Sequence, residues 1–192
     1  MSVAATLLSS ARRYRGVSGR ALARQTASSQ AGLVGVENGT ADATTERLDR
    51  ILRARDYQVV ALPTRLGTAS DAGEDIRRYL EVGNEDAAFR VVLQLATDLT
   101  RADHALRVAL SVTPPALSEH PKFDALLAGI VEWKLSADDL PIPLWVGEGA
   151  RTLSEPWDVE PVPGLQEAAR KRTPDALRRH GVHLDPAELV DS

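Results

Sequence analysis

The sequence predicts a mainly α protein in two parts: an N-terminal five-helix-type domain over residues 1–66 with one short β-strand, and a helical C-terminal domain over residues 67–192. Three observations predict it. Apolar residues recur at helical intervals: Ile76, Tyr79 and Leu80 stand at i, i+3 and i+4, and Phe123, Leu126, Leu127, Ile130 and Val131 repeat the spacing. Gly and Pro punctuate these stripes at Gly39, Gly83, Pro114-Pro115 and Pro141. Charge is also divided along the chain. Residues 1–66 hold 10 Lys+Arg, all of them Arg, against 5 Asp+Glu, a net of +5; residues 67–192 hold 13 against 22, a net of −9. A basic head on an acidic body points the head toward a polyanion.

The N-terminal elements follow in order. Leu7, Leu8, Ala11 and Tyr14 lie on one stripe and predict a first helix over residues 3–14, ended by Gly16. Ser18 is a good N-cap for a second helix over 19–25, because its hydroxyl can accept a free N–H of the first turn. A short break at Thr26, Ala27 and Ser28 precedes a third helix over 30–37, capped by Ser28 or Ser29, with Leu33 and Val36 inward. Gly39 supplies the left-handed position after its end. A polar loop, 40–44, leads to a fourth helix over 45–54 with Leu48, Ile51 and Leu52 inward. The run YQVVAL at 57–62, bounded by Asp56 and Pro63, reads as a strand. A lone strand is unstable in water, so a second copy of the chain is its simplest partner.

Residues 64–71, small and containing Gly67, read as a hinge. Residues 72–112 are helical with a break at Gly83-Asn84. Residues 123–133 predict an amphipathic helix ending near Trp133, and residues 161–192 three short helical pieces, with Pro174 in the first turn of one after the N-cap Thr173. Cysteine is absent, which excludes disulfides and thiolate metal sites and fits a reducing cytoplasm. No apolar run approaches the length of a membrane span. The short stretch Val3 to Leu8 precedes Arg12, Arg13 and Arg15, the reverse of a secretory signal's order.

Two short helices joined by a tight break form a helix-turn-helix, a motif that sets its second helix into the DNA major groove. Gln and Asn suit adenine, because each can make two hydrogen bonds to one base edge. The third helix offers Ser28, Ser29 and Gln30 at its start and Asn38 at its end, while Ala31, Gly32 and Gly35 occupy positions where longer polar side chains would reach the groove. Either these glycines let the backbone approach DNA closely, with arginines such as Arg15 and Arg20 gripping phosphate, or strong sequence reading has been lost. His180, His183 and Asp185 have a loose metal-ligand spacing, but Gly181 and the lack of a third His nearby favour polar caps. Glu132, Asp138, Asp139 and Glu148 read as a solvated face, and Trp133, Trp145 and Trp157 as core or partner contacts. No phosphate-binding glycine loop follows a strand. These residues predict no enzyme, no metal and no cofactor.

The stretch LLSSARRYRGVSGRALARQTASSQAGLVGVENGTADATTERLDRILR resembles the XRE family of Cro/repressor-like helix-turn-helix regulators over about residues 4–55 without a gap. The resemblance implies that Gln30 leads base reading, that Ser18, Gly19 and Asn38 meet phosphate, and that Arg12 and Glu37 join the first and third helices. Gly19, Ala31 and Gly35 depart from the polar residues many relatives carry. FDALLAGIVEW, LSEPWDVEPVPGL and RTPDALRRHGVHLDPAEL resemble the C-terminal part of actinobacterial XRE-type proteins, which implies an antitoxin or regulator encoded beside a toxin, in some cases a nucleotidyltransferase-like one. The expectation is a cytoplasmic, nucleoid-associated homodimer that binds an operator in double-stranded DNA, neutralises a toxin and represses the shared operon, with no membrane contact. The rivals are a solitary repressor with a ligand-sensing C-terminal domain, an enzyme with a DNA-binding head, and an interaction protein whose helix-turn-helix no longer binds DNA.

Overall fold

The structure, a computed structural model, describes residues 3–14 and 18–189. The chain is mainly helical and divides into two compact units, residues 1–64 and 65–192. Arg15 and Gly16, to which the sequence assigns a phosphate contact and a helix end, lie outside the described residues, as does the side chain of Tyr14.

The first unit contains α1 (Val3–Tyr14), α2 (Gly19–Gln25), α3 (Gln30–Glu37) and α4 (Thr45–Arg53). Three hydroxyls start three of these helices. Ser18 Oγ accepts from Ala21 N at 3.2 Å, Ser29 Oγ from Gly32 N at 3.0 Å and Thr44 Oγ1 from Arg47 N at 3.2 Å. Each satisfies a first-turn N–H that the helix itself leaves free. Gly39 takes the left-handed position after α3 (φ 68). Leu8, Leu22, Leu33, Val36 and Ile51 form one buried cluster, and Ala11, Leu48 and Leu52 a second against which Tyr57 packs.

Two expectations for this unit are corrected. Its described residues form four helices, not a five-helix arrangement. Residues 57–62 form no strand within the chain. Tyr57 N bonds Leu52 O at 3.0 Å and closes off α4, and beyond it Val59 and Val60 are exposed. A segment without a ladder partner does not hold as a strand in water.

The second unit is built around α8 (Pro121–Ser136). Phe123, Leu126, Leu127, Ile130, Val131 and Leu135 are all buried, as are the small residues Ala125, Ala128 and Gly129. The expected amphipathic helix is therefore apolar nearly all round and central, as a helix enclosed by its neighbours must be. α5 (Ala69–Glu81), α6 (Glu85–Arg101), α7 (His104–Ser111) and α10 (Asp175–Arg179) pack against it. α5 and α6 are joined at Gly83, whose φ of 70 makes the reversal cheap, and Asn84 Oδ1 then caps α6 at Ala87 N, 3.0 Å away. Gly129 lets α10 approach: a Cβ there would lie 2.7 Å from a Leu177 methyl. The expected hinge at 64–71 is partly helix, since α5 begins at Ala69, and Gly67 N is anchored to Asp98 Oδ2 at 2.8 Å.

Past α8 the chain makes 3-10 turns at Leu144–Gly147 and Gly149–Arg151, then β1 (Trp157–Asp158), α9 (Pro163–Arg172), α10, β2 (Val182–His183) and a last 3-10 turn at Pro186–Leu189. β1 and β2 pair in parallel, Trp157 opposite Val182. Thr173 ends α9 rather than capping α10, and Pro174, expected in the first turn of α10, is its N-cap. Thr173 Oγ1 is committed elsewhere: it donates to Ala169 O at 2.8 Å and accepts from Leu184 N at 3.1 Å.

Candidate nucleic-acid interface

The reversal between α2 and α3 is compact. Thr26 Oγ1 donates to Leu22 O at 2.9 Å, Ala27 takes a left-handed backbone (φ 50), and Ser28 N returns to Ala23 O at 3.0 Å. Leu22 and Ala23 on one helix and Leu33 and Val36 on the other bury the facing sides. Arg12 Nε donates to Glu37 Oε1, which ties α1 to the end of α3; the side chains are 26% and 11% exposed. α3 is thus held at its inner face and at its end, and its opposite face is left open.

The expected site residues fall into distinct places. Ser18 and Arg20 are exposed and Gly19 half-exposed at the start of α2, with nothing within 4 Å of where a Gly19 Cβ would stand. Ser29, Gln30 and Ala31 are exposed together at the start of α3, and Asn38 is exposed at its end as C-cap. Ser28 is half-buried in the turn and its hydroxyl faces Thr26 O at 3.4 Å. Gln30 makes no side-chain hydrogen bond among the described residues, so both ends of its amide are available to a partner.

Gly32 and Gly35 have close neighbours. A Cβ on Gly32 would lie 2.8 Å from Ser29 Oγ and 2.9 Å from Arg47 Nη2. One on Gly35 would lie 3.2 Å from Ala41 Cβ, and Gly35 O accepts from the N–H groups of Thr40 and Ala41 at 2.9 and 3.0 Å and from Thr40 Oγ1 at 3.1 Å. Larger residues at either position would push on the cap, on Arg47 or on the 40–44 loop.

Two residues at this surface were missed by sequence reasoning. Val34 is 42% exposed, one turn beyond Gln30. Its signal was present: with Leu33 and Val36 inward, the i+4 neighbour of an exposed Gln30 falls on an open flank. Arg47 belongs to α4 but its guanidinium lies against the first turn of α3, a proximity no local pattern encodes. Among the described residues Arg20, Arg24, Arg47 and Arg50 make no ion pair, which leaves their charge available to phosphate.

The histidines are not assembled into a metal centre. The buried His180 ring lies between Arg151 O and Glu132 Oε2, each 2.7 Å away, and His183 Nδ1 faces Asp158 Oδ1 at 2.9 Å. Among the described residues no group of three His, Asp or Glu could hold a metal ion. Glu132 and Asp138, expected on a solvated face, are engaged instead: Arg179 and His180 meet Glu132, and Arg107 meets Asp138. No described helix is long and apolar enough to cross a membrane. No protein-family profile, curated protein or solved structure matches this chain.

Proposed function

We propose that this chain is a sequence-specific DNA-binding transcriptional regulator of the XRE type, and within that class an antitoxin. It acts as a homodimer in the cytoplasm, on the nucleoid. Its first unit binds the operator and represses the operon, and its acidic second unit binds and neutralises a toxin, nucleotidyltransferase-like in some proteins it resembles. One observation carries the reading: the first turn of α3 presents Gln30 uncommitted and exposed, on a helix whose other side is fixed by Leu33, Val36 and the Arg12–Glu37 pair. That is what base reading requires, a rigid helix with a free bidentate side chain near its start. Val34 adds an apolar surface of the kind that meets a thymine methyl. Arg20, Arg24 and Arg47 supply sequence-independent attraction, so affinity falls steeply with salt.

The test has two stages. Co-expression with the product of the adjacent gene should yield a stable complex, and the upstream DNA should shift with the chain alone. Gln30→Ala should then cost about 1–3 kcal/mol on the preferred duplex and little on a scrambled one, whereas Arg20→Ala should weaken both and flatten the salt slope by about one unit. Failure to shift any upstream DNA would overturn the regulator reading. Equal loss on both duplexes for Gln30→Ala would move base reading to another residue. The second reading, a regulator whose C-terminal unit senses a small ligand, is favoured by a cavity beside Trp157.

A further inference from the structure

The cavity lies wholly within the second unit and measures about 440 Å³, within the range of small-ligand sites. Phe123, Leu153 and Trp157 form an apolar wall, with the Phe123 and Trp157 rings tilted at 47° and 6.0 Å between centroids. Trp157 is fixed by its backbone: it begins β1, and its N–H donates to Gly181 O at 2.8 Å. Glu85, Glu119 and Glu155 stand around this wall, all exposed. Among the described residues none of the three makes an ion pair or side-chain hydrogen bond. Elsewhere in the unit, Glu74, Glu132, Asp138, Asp158 and Asp185 are each bonded to an arginine. Glu119 stands within the electrostatic reach of Arg77, and Glu85 and Glu155 add carboxylates with no bonded arginine where an aromatic ring is presented. One cation already uses that ring: Lys122 Nζ lies 5.4 Å from the Trp157 centroid, beyond ion-pair distance of any described carboxylate. The lining sets three carboxylates against the single lysine, Lys122, with His120 beside them.

We propose that this cavity binds an organic cation, an ammonium or guanidinium group on a short apolar stem. The stem packs on Phe123, Leu153 and Trp157, and the charged end is held by the glutamates and by the ring face, which attracts cations through its quadrupole. Lys122 acts as an internal competitor for the ring. The same chemistry is offered by a free amine or guanidine and by an Arg or Lys side chain of a docking protein. The proposal does not depend on DNA binding by the first unit.

The experiment uses the full chain, labelled with ¹⁵N, and follows the Trp157 indole N–H resonance, assigned with Trp157→Phe. The probes are benzamidine, agmatine, benzoate as the anion matched in size to benzamidine, and the peptide acetyl-Gly-Arg-Leu-Gly-amide with its neutral citrulline counterpart. Benzamidine should shift the indole signal saturably and benzoate should not. The triple substitution Glu85→Gln, Glu119→Gln and Glu155→Gln should weaken benzamidine about tenfold, and Lys122→Ala should tighten it about threefold. These opposite signs separate binding from a general loss of fold, which a thermal melt of each variant checks. Binding by benzamidine or agmatine with no preference for the arginine peptide over its citrulline form identifies a free cation as the ligand. Tighter binding of the arginine peptide than of either free cation identifies a protein side chain. Equal binding of benzoate, an unchanged triple variant, or no cation-dependent shift at Trp157 overturns the proposal.

Discussion

Ala27 is the residue on which the α2–α3 reversal turns. Its φ of 50 is left-handed, where a Cβ is crowded by the neighbouring carbonyl at a cost of roughly 1–2 kcal/mol. Glycine escapes that cost but loses about 0.4–1 kcal/mol through the entropy of the unfolded chain. Ala27→Gly should therefore stabilise the first unit by about 0.5–1 kcal/mol in urea denaturation; a lower midpoint would show that the alanine methyl makes a packing contact worth more than the strain. A second residue-scale prediction concerns Glu37. Exposed pairs contribute about 0–1 kcal/mol, whereas breaking a buried one costs about 3–5. The Arg12–Glu37 pair lies between these limits, at 26% and 11% exposure. Glu37→Ala should cost about 1–2 kcal/mol, the lower end because Arg12 can still reach water. A melting curve superimposable on that of the parent would show that the pair adds no stability.

At the scale of elements, charge-assisted bonds join the C-terminal segments beside the buried Leu177, Val182 and Leu184. α9 is tied to β1 by Arg170, whose Nε donates to Asp158 Oδ1 at 2.6 Å while Nη2 donates to Oδ2, and His183 on β2 meets the same carboxylate. The Arg170 hydrogen bonds, with a smaller contribution from His183, hold the Asp158 carboxyl down to about 2. The folded value lies below the ordinary 3.8, so this contribution is fully present above that value and is lost as pH falls toward 2. Arg170→Ala removes the main cause. The difference in melting temperature between parent and variant should be constant near neutrality and should narrow between pH 4 and pH 2. A gap that persists unchanged to pH 2 would mean that Arg170 acts through packing of its stem rather than through the carboxylate.

For the whole molecule, the prediction concerns association. Val59 and Val60, 40% and 68% exposed, stand in a segment that forms no strand among the described residues, within the unit proposed to bind DNA. A second copy would supply the ladder, and a dimer would match two half-sites on DNA. Val59→Pro removes one N–H that such an intermolecular ladder would need. Sedimentation should then show a shift from dimer toward monomer and a corresponding loss of operator affinity. An unchanged dimer that binds DNA normally would place the interface elsewhere.

Features set by local physics can be read along the chain. Ser18 and Ser29 can start helices because a hydroxyl reaches its own first turn, Gly39 marks a left-handed position, Gly83-Asn84 marks a break, and helical spacing identifies Leu33 and Val36 as inward. From these the helices, the α2–turn–α3 segment and the exposure of Gln30 were legible. The remaining features depend on residues far apart in the chain and emerge only on folding. That α8 is enclosed on nearly every side follows from α5, α6, α7 and α10 closing over it, and an apolar helix reads alike whether one face or all faces are covered. Gly32 looked like a groove-facing gap until Arg47, fifteen positions on, was seen to lie against it. Strand formation at 57–62 needed a partner that local propensity cannot supply. The parallel pairing of β1 with β2 and the approach of Glu85 and Glu119 to Trp157 join segments separated by 25 to 72 residues. Such contacts arise only when the chain closes on itself, and no periodicity within a single helix or strand records them.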